Sequence, residues 1–206
     1  MRPLRAPAVA LGCSYLAAIV MLGPLLGSSA DASTAFTEHF AEDGNRIRDL
    51  LGSLALLVAA AMLVWTAVTA RSASTLAASP LRDLTVIACG VTASTLVVAS
   101  GLLMTVPLTS SIGELTDDPG IDAGAQAGIA QAGTVMLLVA ALSLACATVL
   151  LARLGRRVAA VPGWIVATAW ATAVTLCLGV SVALLVPFAA WVIALGLAWR
   201  TSPVEP

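Results

Sequence analysis

The chain has 206 residues, 60% of them hydrophobic and 10% charged, with 10 Lys+Arg against 11 Asp+Glu and a formal net charge of −1; its mean hydropathy is +1.01. A soluble domain carries about 25% charged residues, so composition excludes an ordinary water-soluble enzyme. The near-neutral balance supplies no basic field, and 5 Trp, 1 Tyr and 3 Phe supply few stacking rings, which excludes a nucleic-acid partner. The partner expected for most of the chain is the lipid bilayer.

Charged residues leave uncharged stretches at 6–30, 50–70, 84–113, 123–152 and 158–199. A crossing of the hydrocarbon core takes roughly 20 apolar residues, so four stretches hold one crossing each. The last stretch, residues 158–199, would make a single helix of roughly 63 Å at about 1.5 Å per residue and must fold back. The expected class is an all-α polytopic membrane helix bundle, a single membrane domain over 1–206. Its six transmembrane helices are expected at 6–29, 46–70, 80–106, 123–152, 160–180 and 183–199.

Helix one, 6–29, has a competing reading. Arg2 and Arg5 precede it and Ala30-Asp31-Ala32 is a literal A-x-A site, as in a signal peptide. The apolar stretch is nevertheless longer than the usual h-region of roughly 7–15 residues, which favours a retained span. Ala10-Leu11-Gly12-Cys13 matches a lipoprotein box only loosely.

The loop at 31–49 carries most of the polar chemistry. Phe36 and Phe40 lie one helical turn apart, with Glu38, Glu42 and Asp43 between and after them, the pattern of a short interfacial helix. His39 and Asp43 stand at i, i+4, a spacing that suits two metal ligands, and Asp117, Asp118 and Asp122 of the second outside loop face the same compartment. The plainer reading is that acids collect where arginines are excluded, with Arg46 and Arg48 as their partners.

Asn45 is expected to cap helix two, 46–70. For helix three, 80–106, Ser79 suits the N-cap, Pro80 the first helical position and Asp83 the first turn. Thr92, Ser94, Thr95 and Ser100 on that helix can bond their own helix's carbonyls, bond a neighbouring helix or line a solute path. Pro119-Gly120 fits the centre of a type II turn before helix four, 123–152. In the last stretch, a tight hairpin near Gly179–Leu185 separates two crossings, and Pro187 is tolerated in the first turn of helix six.

Small residues recur every four positions at Gly163, Ala167, Ala171, Thr175, Gly179 and Ala183, and again at Gly124, Gly128 and Ala132. Such ridges let helix backbones approach closely. They are expected to serve packing within the chain first, and an interface with another membrane protein or a second copy second.

The chain has no Lys, so orientation follows from Arg. Arg2, Arg5, Arg71, Arg82, Arg153, Arg156, Arg157 and Arg200 fall on one side of the predicted helices, and nine of the acids fall on the other. The positive-inside rule then puts both termini in the cytoplasm. All-Arg, Ala-rich usage suits a high-G+C bacterium, which makes the membrane a plasma membrane. Trp65, Trp164 and Trp199 are expected as anchors at the cytoplasmic headgroups.

The reactive inventory is thin. His39 is the only His and lies outside the predicted spans, so haem ligation by two His and serine–histidine hydrolysis at membrane depth have no residues to use; Ser181 has no partner base. Cys13, Cys89, Cys146 and Cys177 form no C-x-x-C pair and read as small apolar side chains. No cofactor is implied.

The run Phe40-Ala41-Glu42-Asp43-Gly44-Asn45-Arg46-Ile47-Arg48, with a helix closing at Trp65 before Arg71, resembles a widespread group of six-helix bacterial membrane proteins of unknown function. In that group an aromatic residue and an Asn-Arg-x-Arg stretch lead into the second helix. Val161-Pro162-Gly163-Trp164 after an arginine cluster, and the segment from Pro187 to Trp191, are similar too. The resemblance covers most of the chain in layout and implies a six-helix bundle without implying an activity. The first expectation for function is a non-catalytic accessory or scaffolding subunit of a membrane complex. A transporter or channel for a small neutral or lipidic solute comes second, and a metal-assisted enzyme at the outer face, using His39, Asp43, Asp117 and Asp118, third.

Overall fold

The computed structural model describes residues 4–27, 39–40, 42–73, 79–116, 123–178 and 186–199. Among them the chain is helical throughout: α1 (Arg5–Gly27), α2 (Asp43–Ala73), α3 (Pro80–Thr116), α4 (Ala123–Arg157), α5 (Gly163–Leu178) and α6 (Val186–Ala198). Four of these, α1 to α4, are long and apolar enough to cross a membrane. The described parts of α5 and α6, 16 and 13 residues, reach only about 24 and 20 Å at the α-helical rise.

Several boundaries follow from identifiable bonds. The Ser79 carbonyl accepts from the N–H of Arg82 and Asp83, so α3 begins at Pro80 as the Ser-Pro pair predicts. Helix α2 begins earlier than expected, at Asp43, because the Glu42 carbonyl takes the N–H groups of Asn45 and Arg46. Asn45 is therefore inside the first turn rather than its cap. Helix α3 runs through Pro107 to Thr116 instead of stopping at 106. In the turn that follows the proline the hydroxyls of Thr109, Ser110 and Ser111 bond back to the carbonyls of Thr105, Val106 and Pro107 on their own helix.

Each helix packs on the next in sequence, and α6 returns against α1 to close the circuit, with a lighter contact to α5. The α1–α6 seam is tight. A Cβ on Gly12 would stand 2.9 Å from the Ala189 carbonyl oxygen, and one on Gly196 would stand 2.7 Å from the Ala8 Cβ, so only glycine allows this antiparallel approach. One continuous apolar core runs through all six helices, from Leu4 and Leu11 through Leu63, Leu96, Leu144 and Leu154 to Val192 and Trp199. The outward surface is apolar as well: Val58, Val68, Ile87, Val97, Leu138, Leu142 and Val174 are exposed. Helices apolar on every side belong in a large core or a membrane.

Trp199 departs from its expected place. It is 1% exposed and its ring stands where a Gly155 Cβ would meet it at 2.9 Å, so it fills the bundle interior instead of anchoring a headgroup. Trp65 and Trp164 are exposed, as anchors need to be. Trp191 is buried and its Nε1–H donates to the Ile165 carbonyl at 3.1 Å, tying α6 to α5.

Candidate functional site

The concentration of buried polar groups lies at the start of α2. Asp49 has 0% side-chain exposure, and its Oδ2 is 2.7 Å from Nε2 of His39, itself 17% exposed. Its Oδ1 stands 3.7 Å from Arg48 Nε without a hydrogen bond, and Arg48 Nε and Nη2 are likewise buried without one. A carboxyl group is buried in this position at tolerable cost only because an imidazole hydrogen-bonds one oxygen and a guanidinium stands near the other.

The segment carrying His39 is held from several sides. Asn45 Nδ2 donates to the His39 carbonyl at 3.0 Å and to Glu42 Oε2 at 3.2 Å, while Arg46 Nε donates to the Phe40 carbonyl. Arg46 also faces Asp43 Oδ1 at 3.7 Å. The Phe40 ring is buried with Val106 of α3 and Ala130 of α4, and stacks edge-on with His39, centroids 4.9 Å apart. Residues 39 and 40 thus join α2, α3 and α4 at one end of the bundle. Below them, Ser53 Oγ donates to the Asp49 carbonyl at 2.9 Å, and Ser100 Oγ crosses from α3 to the Ser53 carbonyl at 2.6 Å.

His39 therefore meets Asp49 and not Asp43, whose side chain is exposed against Arg46. Asp117, Asp118 and Asp122 lie outside the described residues, as do Ser181, Gly179, Ala183 and the Pro119-Gly120 turn. Among the described residues no group of three His, Cys, Asp or Glu converges on one point. An imidazole oriented by a buried carboxylate can exchange a proton, but the only side-chain hydrogen bond His39 makes among the described residues is to Asp49. The hydroxyls of Thr92, Ser94 and Thr95 return to their own helix at the carbonyls of Ala88, Gly90 and Thr92. Cys89 is buried, while Cys13, Cys146 and Cys177 are exposed, and all four are free thiols.

The small-residue ridge of α5 turns away from the bundle. Gly163, Ala167 and Ala171 are exposed and Thr175 is half-buried, while Ile165, Ala169, Thr172, Ala173 and Leu176 form the packed face. Gly124, Gly128 and Ala132 on α4 are exposed too. The close approaches inside the chain are made at Gly12, Gly52, Gly133, Gly155 and Gly196 instead.

The fold and this end cluster define, among the described residues, an all-helical protein with four helices able to span a membrane and a buried carboxyl group, Asp49, flanked by partly buried His39 and Arg48 beside one helix end. No family model matches the chain, and comparisons with curated proteins and with solved structures find none similar to it.

Proposed function

We propose that this is a non-catalytic protein of a bacterial plasma membrane that crosses the bilayer six times with both termini in the cytoplasm. In this reading it works as an accessory or scaffolding subunit, packed through α5 against another membrane protein or a second copy of itself. The observation that carries the reading is the outward ridge of Gly163, Ala167 and Ala171, a surface on which a second helix can approach closely. The arginine distribution supports the orientation, and four helices long and apolar enough to cross a membrane, with two shorter apolar ones after them, support the count. The His39–Asp49 pair is then a staple that fixes the segment before α2. The solute-path reading has little to use, since of the α3 hydroxyls that would line a path Thr92, Ser94 and Thr95 bond their own helix and Ser100 bonds α2.

Cross-linking in native membranes tests this. With cysteines introduced one at a time at Ala167 and Ala171 in a cysteine-free background, we expect a single cross-linked species of larger mass. With the reporter cysteine placed instead at Gly163, on the same exposed ridge, the double variant A167L/A171L is expected to lose the product while keeping its helicity. A monodisperse monomer in mild detergent, with no cross-linked product at either position, overturns the proposal.

A further inference from the structure

We propose that the arginine stripe at the end of α4 binds the phosphate of an anionic phospholipid whose acyl chain lies along the same face of the helix. Arg153, Arg156 and Arg157 are spaced i, i+3, i+4, which puts them on one stripe, and all three are exposed. Among the described residues none of them has a carboxylate within ion-pair distance.

Nor are these arginines needed to cap the helix. Three of the last four carbonyls of α4 are already taken by backbone: Val158 N–H donates to Leu154 at 3.2 Å, Ala159 to Arg156 at 3.1 Å and Ala160 to Gly155 at 2.9 Å. The turn that achieves this forces Ala159 to φ 53°, a left-handed conformation that costs an L-residue about 1 kcal/mol. Among the described residues the three guanidinium groups thus have neither an acidic partner nor a capping role.

Arg153 is the most informative of the three. Its Cζ sits 5.4 Å from the centroid of the Trp170 ring, and Trp170 is itself 48% exposed. Trp170 stands seven residues into α5, about 10 Å along the helix from Gly163 at the standard rise. The cation is thus held at an exposed aromatic face two turns into α5, from a position about one turn before the end of α4. A charge at that depth in hydrocarbon is costly unless a counter-ion or water reaches it. Stacking on the ring leaves the planar fork of N–H donors free for an oxyanion.

The ligand class follows from what continues the stripe. Residues 146, 142 and 139 lie on the same face, toward the middle of α4, and Cys146, Leu142 and Val139 are all exposed. Cationic head groups above an apolar strip match an amphiphile with an anionic head, as basic sites between transmembrane helices do. A carboxylate from a partner protein would use the arginines but leave that strip without a role. The inference uses the membrane reading but neither its orientation nor the α5 interface, so it survives if the cross-linking above fails.

The full chain in nanodiscs of phosphatidylcholine, alone or with phosphatidylglycerol, provides the test. Phosphatidylglycerol is expected to raise the unfolding temperature of the wild type, and salt is expected to erase that rise. The apparent affinity is expected to fall about fivefold for each arginine removed in R153Q and R156Q/R157Q, with R153K losing less. R71Q, which removes a charge that faces Asp83, is expected to bind as the wild type does. The proposal is overturned if phosphatidylethanolamine stabilises equally, if salt leaves the rise intact, or if R71Q loses as much as R153Q. It is overturned equally if inorganic phosphate alone reproduces the effect, or if Arg153 cross-links to a partner protein's carboxylate.

Discussion

At the His39 end of the bundle a carboxylate without exposure is covered by an imidazole and flanked by a guanidinium. At the Trp199 end an indole with 1% exposure fills the interior and the arginines of α4 point outward. The two ends close the same circuit of helices by opposite means. Where the chain brings a hydrogen-bonding partner of its own, through the segment at 39–40, it can bury a carboxyl group. Where it does not, the interior is filled with apolar surface and the charge is left to the surroundings. A buried ion pair holds by mutual dependence, because removing one member strands the other; a buried indole holds by area and fit.

Truncating each closure tests that contrast. Trp199→Ala is expected to cost about 4 kcal/mol, near the middle of the range for deleting a buried aromatic, read from unfolding in detergent. Asp49→Ala should cost about 3 kcal/mol, and the double variant His39→Ala/Asp49→Ala less than the sum of the two singles, because each single leaves its partner unmatched. Additive singles would mean that the pair does not act as a unit. At the α1–α6 seam, Gly12→Val is expected to destabilise by about 2 kcal/mol through overpacking. Ala159→Gly should stabilise by about 1 kcal/mol by relieving the left-handed strain. Trp65→Ala, on an exposed position, should stay within about 0.5 kcal/mol, and a loss as large as that of Trp199 would erase the distinction between anchor and core.

The helices were legible because charge spacing in a chain with 10% charged residues is a direct record of where hydrocarbon ends. The start of α3 was legible from Ser79 and Pro80, whose cap chemistry is local. What was hidden is which way each helix faces. With apolar residues on every side of α5 there is no polar stripe to orient it, so the spacing of Gly163, Ala167 and Ala171 gave a ridge but not its direction. Trp199 was hidden for the same reason, since a Trp at a helix end reads alike whether it meets headgroups or a glycine such as Gly155.

The Asp49 constellation was half legible. His39 stood out as the sole His, but i, i+4 spacing pointed to Asp43, and the chain bends so that the residue ten positions on is the partner. One signal was present: Asp49 abuts the apolar stretch 50–70. An acid on that border needs a proton donor or cation to cover it, and Arg48 and His39 are the groups at hand.

The path of the chain across the bilayer, the two short helices included, underlies both the orientation and the α5 interface. Single cysteines at Ser33, Ser74 and Thr201 in an otherwise cysteine-free chain, treated with a membrane-impermeant maleimide in intact cells, read that path. Six crossings with both termini inside give labelling at 33, and none at 74 or 201 until the cells are opened. Labelling at 201 in intact cells would mean that α5 and α6 make an odd number of crossings, and labelling at 74 with protection at 33 would turn the whole arrangement over.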